Sequence, residues 1–219
     1  MANSIKVVEV DGRMVGLIEV WDLMDPPVNV WVWGRVHPEF EGQGIGKHSW
    51  PENIKIRTFA DLKGDLRQVY RAVDDAFRDH WGYVEQPEDK TLKRWQHFIE
   101  NNKEYDPSLW FLAMDGDEIA GLSLCKPHMT DDPQMGWVNT LGVRRPWRRQ
   151  GLAMALLHHT FAEFQERGQQ RVGLGVDAGS LTGATRLYEK AGMHVEREYL
   201  DFTKLLRPGK DISRQTLDD

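Results

Sequence analysis

Between Leu141 and Ala153 the chain runs Leu-Gly-Val-Arg-Arg-Pro-Trp-Arg-Arg-Gln-Gly-Leu-Ala, four arginines and a glycine turn placed between an apolar run and an amphipathic one. A helix N-terminus exposes unpaired backbone N–H groups and carries partial positive charge. The turn Arg149, Gln150, Gly151, Leu152, Ala153 is therefore suited to a diphosphate. Gly151 lets the backbone approach an anion where a side chain would intrude, Ala153 is small for the same reason, and Arg148 and Arg149 offer charged donors at the rim. An isolated glycine turn beside solvated arginines would carry no such meaning. The succession of strand, arginines, glycine and helix is what favours the anion site.

Two familiar phosphate sites are excluded. No lysine followed by serine or threonine comes after the glycine, so this is not a nucleotide-hydrolase phosphate loop. The first two glycines of a dinucleotide fingerprint are absent, and no acidic ribose binder follows a second strand where that fold needs one. What remains is a diphosphate cofactor that ends in something other than a nicotinamide. A weaker copy of the turn, from Val36 to Gly46, keeps Gly42, Gly44 and Gly46 but has no arginines beside them.

The elements that must position the turn follow from patterning. Residues 54–59 are expected as a strand, with Asp61 capping a helix whose apolar positions Leu66, Val69, Tyr70, Val73, Ala76 and Phe77 keep helical spacing. Asp89 is expected to cap a second helix carrying Leu92, Trp95, Phe98 and Ile99 on one face. Residues 110–114 and 119–125 flank Asp115-Gly116-Asp117 and form a hairpin. A strand over 135–143 leads into a helix over 152–167, then a strand over 171–176, a short helix over 182–191, and closing strands at 194–199 and 202–206. The class is α/β, a mixed central sheet flanked by helices. Before it, residues 5–10, 14–20 and 28–36 form a three-stranded antiparallel meander, separated by Asp11-Gly12 and by Asp25-Pro26-Pro27. No helix covers that meander, so one face must pack on the rest of the chain or on a second protomer. The expected division is a partial segment over 1–50, a complete domain over 54–206 and a polar tail over 207–219.

Bulk properties narrow the field further. The 219 residues carry a formal net charge of −6, which argues against a nucleic-acid binder held by long-range attraction to phosphate. No window reaches the roughly 18 apolar residues of a membrane span, and the first residues lack the apolar core of a signal peptide, so a soluble cytoplasmic protein is expected. Cys125 is the only cysteine, which excludes an intramolecular disulfide and a cysteine metal cluster. The histidines show no three-ligand zinc spacing.

Over about 54–206 the chain resembles the GNAT superfamily of acyl-CoA-dependent N-acyltransferases. Their hallmark turn has Arg or Gln, two free positions, Gly, one free position, then Gly or Ala, matched here by Arg148, Gly151 and Ala153 behind the strand ending Leu141-Gly142-Val143. A second signature is matched from Val176 to Met193, including Ala184-Thr185-Arg186-Leu187-Tyr188. The resemblance implies the GNAT fold, with coenzyme A bound by the amides from Arg149 through Gln150, Gly151 and Leu152 to Ala153, and acetyl-CoA as donor. It further implies that the strand before the turn splays from its neighbour at Leu141 and Val143, with the Val143 N–H facing the thioester carbonyl. Tyr188 is implied as the acid that protonates the departing thiolate; from its helix position alone it would most often be a core tyrosine, and only the resemblance favours the acid. Ser180 stands where the family often places an asparagine that contacts the pantetheine, and its shorter side chain suits a helix cap. The meander resembles the middle of a further GNAT domain with Glu41 at the arginine position, as in a tandem, mycothiol-synthase-like protein whose first domain is truncated.

The acceptor implied is a primary amine, in the first place of a small molecule; a peptide or protein amine, or a non-catalytic acyl-CoA sensor, are the alternatives. The family often supplies a glutamate as base on the central strands, and Trp137-Val138-Asn139-Thr140 has none. His128, just past the strand ending at Cys125, has a suitable ordinary pKa and is the candidate base. His80, Trp81 and Tyr83 are candidates for an acceptor wall, with Trp81 equally suited to plugging the core edge.

Overall fold

The computed structural model describes residues 4–10, 13–22, 30–36, 50–62, 65–80, 82–176 and 183–199. The chain divides into two compact units, Met1–Ser49 and Trp50–Asp219. In the first, β1 (Ser4–Val10), β2 (Arg13–Asp22) and β3 (Val30–Val36) form an antiparallel sheet with β2 central. Leu17 of β2 stands opposite Val7 on one side and Arg35 on the other. The glycines at 42–46 lie outside the described residues.

The second unit is built on a five-stranded sheet in chain order: β4 (Ile54–Thr58), β5 (Trp110–Asp115), β6 (Glu118–Lys126), β7 (Met135–Val143) and β8 (Arg171–Leu174). The first four strands are antiparallel and only β7 and β8 run parallel. Helices α1 (Leu66–Phe77) and α2 (Glu88–Asn101) intervene between β4 and β5, α3 (Leu152–Glu166) joins β7 to β8, and α4 (Ala184–Lys190) follows β8.

Strand alternation sorts the core into two clusters. Leu112, Leu122 and Leu124 pack with Val69 and Ala72 of α1, while Phe111, Ala113, Cys125 and Val138 pack with Leu152, Leu156 and Phe164 of α3. The sheet is thus covered on both faces, α1 and α2 on one and α3 on the other, the mixed sheet flanked by helices that the sequence pattern implies.

Helix starts differ from expectation for a local reason. Asp65 caps α1, accepting from the backbone N–H groups of Arg67 at 3.0 Å and Gln68 at 3.4 Å. Asp61 instead accepts from the Thr58 N–H at 3.0 Å and closes the turn that ends β4. Pro87 occupies the cap position of α2, and Asp89 sits with Glu88 inside its first turn, where both complement the helix dipole and reach Arg67. Residues 194–199 form no strand: Val195 and Tyr199 are 73% and 74% exposed, so the alternation has no surface to bury against. The strand expected at 202–206 lies outside the described residues.

Candidate functional site

Two features of β7 open one of its edges. It pairs with β8 only from Met135 opposite Arg171 to Val138 opposite Leu174. On its other side the register with β6 jumps from Leu124 opposite Thr140 to Cys125 opposite Val138, leaving Asn139 as the extra residue of a β-bulge. A bulge bends the strand and raises its twist, and here it falls where pairing with β8 stops. Asn139 to Val143, about 17 Å of strand, therefore continue without a described neighbour on that side.

The ladder phase fixes which backbone groups face the open edge. The Arg144 N–H donates to Ala120 O at 3.0 Å. In an antiparallel pair alternate residues point their N–H and C=O toward the partner, so Gly142 and Thr140 also face β6. Leu141 and Val143 point the other way. Among the described residues nothing accepts from either N–H.

The strand end leads into a turn with unusual backbone conformations. Arg149 has φ 60° and Gly151 φ 82°, two left-handed residues one apart, and α3 starts at Leu152 with no side-chain cap. The first intrahelical partner appears at Ala155, whose N–H donates to Gly151 O at 3.0 Å. Among the described residues, the N–H groups of Leu152, Ala153 and Met154 are thus left unpaired at the positive end of a 15-residue helix. A Cβ placed on Gly151 would meet nothing within 4 Å, so the space beside this turn residue is open. The turn and the Leu141–Val143 edge are consecutive in the chain, and together they fit an extended ligand with an anionic end.

The arginines do not all serve as a rim. Arg144 donates to Asp75 at 2.7 Å and Glu118 at 2.9 Å and lies over the Trp147 ring. Arg145 pairs with Asp79, its Nε at 2.8 Å from Oδ2. Arg148, expected at the rim, turns inward: it donates to Asp79 Oδ2 at 2.6 Å, Ala76 O at 3.0 Å and Val143 O at 3.0 Å. Its contribution to the turn is internal bracing. Arg149 is exposed, and Gln150 bonds the Pro146 carbonyl at 3.1 Å. Asp79 is only 3% exposed, and the guanidinium of Arg145, then that of Arg148, holds its carboxyl below the usual carboxylate range. Nothing in the sequence around Asp79 announces this role, because its partners lie 66 and 69 residues away.

The remaining candidates separate clearly. Tyr188 is half-buried on α4, and burial raises its phenol above the ordinary value, so it stays protonated at neutral pH. Ser180 and Trp81 lie outside the described residues. His128 is misplaced for a base. It follows Lys126, which stands opposite Trp137, six residues before Val143 and so about 20 Å from it along the sheet. There its Nδ1 lies 3.0 Å from Met129 O and its Nε2 3.7 Å from Glu104. Tyr83 donates to Asp74 of α1 at 2.9 Å, while the His80 ring lies 5.6 Å from that of Phe77. Phe77 and Ala76 pack where a Gly142 side chain would be, a Cβ there falling 3.0 Å from each, so α1 lies directly against the open half of β7. Cys125 is buried beside Ser123, and desolvation pushes its thiol up to about 12, which removes it as a nucleophile.

These features define an α/β protein whose strand β7, bulged and on one edge without a described partner along half its length, runs into an uncapped helix N-terminus. The sequence profile of the Acetyltransferase (GNAT) family matches residues 66–193, more than half of the chain, and the chain belongs to that family. It is similar to the mycothiol acetyltransferase of Streptomyces scabiei, 30% identical over 145 residues that cover 65% of this chain and 43% of that protein. The mycothiol acetyltransferase of Geodermatophilus obscurus is 33% identical over 153 residues, 65% of this chain and 45% of that one. The chain thus spans less than half the length of these relatives. Among solved structures, a GCN5-related N-acetyltransferase from Sphaerobacter thermophilus superimposes with a TM-score of 0.54 at 29% identity, covering 85% of this chain and 75% of that one.

Proposed function

We propose that the chain transfers an acetyl group from acetyl-CoA to the primary amine of a small molecule. The observation that carries this reading is the continuity of the unpaired Leu141–Val143 edge with the unpaired amides of Leu152, Ala153 and Met154. An extended pantetheine chain can add to the strand edge while its diphosphate meets the helix start. Arg149, exposed beside the turn, is the cation placed to join that contact.

Bound acetyl-CoA supplies an acyl group activated as a thioester. Leu141 and Val143 each direct an N–H toward the edge where its carbonyl would lie, and one such donor aimed at the developing oxyanion is worth roughly 3 kcal/mol, or on the order of a hundredfold in rate. Tyr188, kept protonated by burial, is the group we assign to give a proton to the departing thiolate. The acceptor must arrive neutral. A lysine-like amine has a pKa near 10.4, so only about one in a thousand is neutral at pH 7.4. With His128 removed from reach, we assign the amine proton to water at the open edge.

Calorimetry with coenzyme A and acetyl-CoA tests the binding half of this proposal, and absence of binding at millimolar concentration refutes it. Thiol release across a panel of small amines and short peptides tests the catalytic half. Release with small amines supports the proposal, release with peptides alone moves the acceptor class, and binding without release with any amine leaves an acyl-CoA sensor.

A further inference from the structure

The Arg148 guanidinium bonds three segments at once. It reaches the carbonyl of Val143 at the end of β7, the carbonyl of Ala76 in the last turn of α1, and Asp79 just beyond that helix. Asp79 in turn is 3% exposed and also holds Arg145, so one buried carboxylate ties down both ends of the Arg145–Arg148 segment. The geometry assigns Asp79 as a positioning residue for the donor strand: it fixes Arg148, and through Arg148 the Val143 peptide, so that the Val143 N–H faces the open edge.

The linkage runs through the strand. The Val143 C=O and N–H lie on the same edge but in adjacent peptide planes joined at its Cα. The carbonyl plane is held from β6 through the Arg144 N–H and from the open edge through Arg148, and restraining it leaves the Val143 N–H plane only the φ and ψ of one residue in which to turn. Val143 has no described strand neighbour on that side to do this, and the Arg148 Nε at 3.0 Å stands in for one. A guanidinium is planar with a rigid fork of donors, so anchoring it at Asp79 and Ala76 sets where its Nε points. Released from Asp79, the cation would be free to swing toward solvent or toward any anion at the turn, and the Val143 peptide would lose its lateral partner. The close fit of Gly142 against Ala76 and Phe77 places α1 against the same strand segment and keeps the span of this clamp short.

The inference rests on the acyl-transfer reading for its consequence in catalysis, but the clamp can be tested without a donor. In the full chain without coenzyme A, Asp79→Asn is expected to speed backbone hydrogen exchange across residues 141–151 by tenfold or more while residues 110–125 of the core hold their protection. With donor and amine present, the same variant is expected to lower kcat tenfold or more and leave the acceptor KM within about twofold; Asp79→Glu, which keeps the charge, recovers part of that loss. The effect of Asp79→Asn on kcat should be smaller in the Arg148→Met background than in the wild type, because the part that runs through Arg148 is already gone and only the Arg145 pair remains to be lost. Unchanged exchange at 141–151, or an increase spread evenly through 110–125, overturns the assignment, and so does additivity of the two substitutions. Should Asp79→Asn fail to fold, Arg148→Met gives the same exchange readout with the same two outcomes. Failure of the wild-type chain to bind coenzyme A would refute the functional reading and leave the exchange result to judge the clamp.

Discussion

Gly151→Ala separates the conformational role of the turn from its role in binding. Gly151 has φ 82°, a left-handed conformation that costs a residue with a Cβ about 1–2 kcal/mol. The added methyl meets no protein atom within 4 Å, so no packing penalty accompanies the strain. For a chain of this length each kcal/mol lowers Tm by about 2–4 °C, giving an expected loss of about 2–8 °C. Ligand binding should suffer separately. The methyl adds bulk at the residue that precedes the Leu152, Ala153 and Met154 amides, and losing one charge-assisted hydrogen bond there costs about 1.5–3 kcal/mol, tenfold or more in affinity. Gly151→Asn isolates the second effect, since asparagine tolerates the left-handed region better than alanine while still filling the space. Calorimetry against coenzyme A, with pantetheine as the control that lacks a diphosphate, and thermal melts of each variant complete the measurement. Both variants should lose coenzyme A affinity and keep pantetheine affinity. A Gly151→Ala protein that melts earlier as expected yet binds coenzyme A within twofold of wild type would place the diphosphate elsewhere.

Tyr188→Phe should lower kcat by about 10²–10⁴ with coenzyme A affinity unchanged, as loss of a general acid requires; an unchanged kcat removes Tyr188 from the chemistry. Because burial raises its phenol, the Tyr188 proton should be retained through neutral pH, and the high-pH limb of the rate it controls should appear above the pH at which an ordinary tyrosine titrates. His128→Ala should leave kcat/KM within about twofold, since the residue lies at the far end of β6 from Val143; a tenfold loss would return it to the site. Cys125, with its thiol at about 12, should resist a thiol reagent at pH 8 until the chain unfolds, and rapid labelling of native protein would contradict its burial. The Asp79 carboxyl is depressed in the folded state, so its contribution to stability is complete above about pH 4 and is lost as pH falls further; Asp79→Asn should flatten denaturant stability measured across that acid range, and an unaltered acid slope would count against the pairing with Arg145 and Arg148.

What the sequence makes legible is local. The hairpin around Asp115-Gly116-Asp117, the strand ending at Val143 and the helix opening after Gly151 follow from turn chemistry and periodicity, and the structure forms each within one or two residues. Asp61 is the expected cap of α1, but the Thr58 N–H claims it and Asp65 caps the helix instead, a choice that depends on how the strand before it ends. The two signature matches locate the turn and Tyr188 because those segments are continuous in the chain. Arg148 shows the limit of such reading. As a sequence symbol it marks the diphosphate turn, yet its guanidinium faces Ala76, in a helix that periodicity places but cannot dock, and Asp79 just beyond it. His128 fails similarly: adjacency to the end of β6 says nothing about which end of the sheet that is.

The bulge at Asn139 ties these observations together. A strand in regular register with β6 and fully paired with β8 would direct every N–H into a ladder and present no donor to a ligand. Instead, one extra residue bends β7 at the point where β8 ends, so Leu141 and Val143 keep their outward N–H groups while the strand stays anchored to β6 through Gly142 and Arg144. Such an edge is vulnerable, because an unpaired strand end tends to fray or recruit another chain. Arg148 answers that on the protein side by occupying the Val143 carbonyl, which satisfies the acceptor and leaves the donor open. The strand is thereby half closed from within, and the half that stays open is the donor that the proposed thioester contact needs.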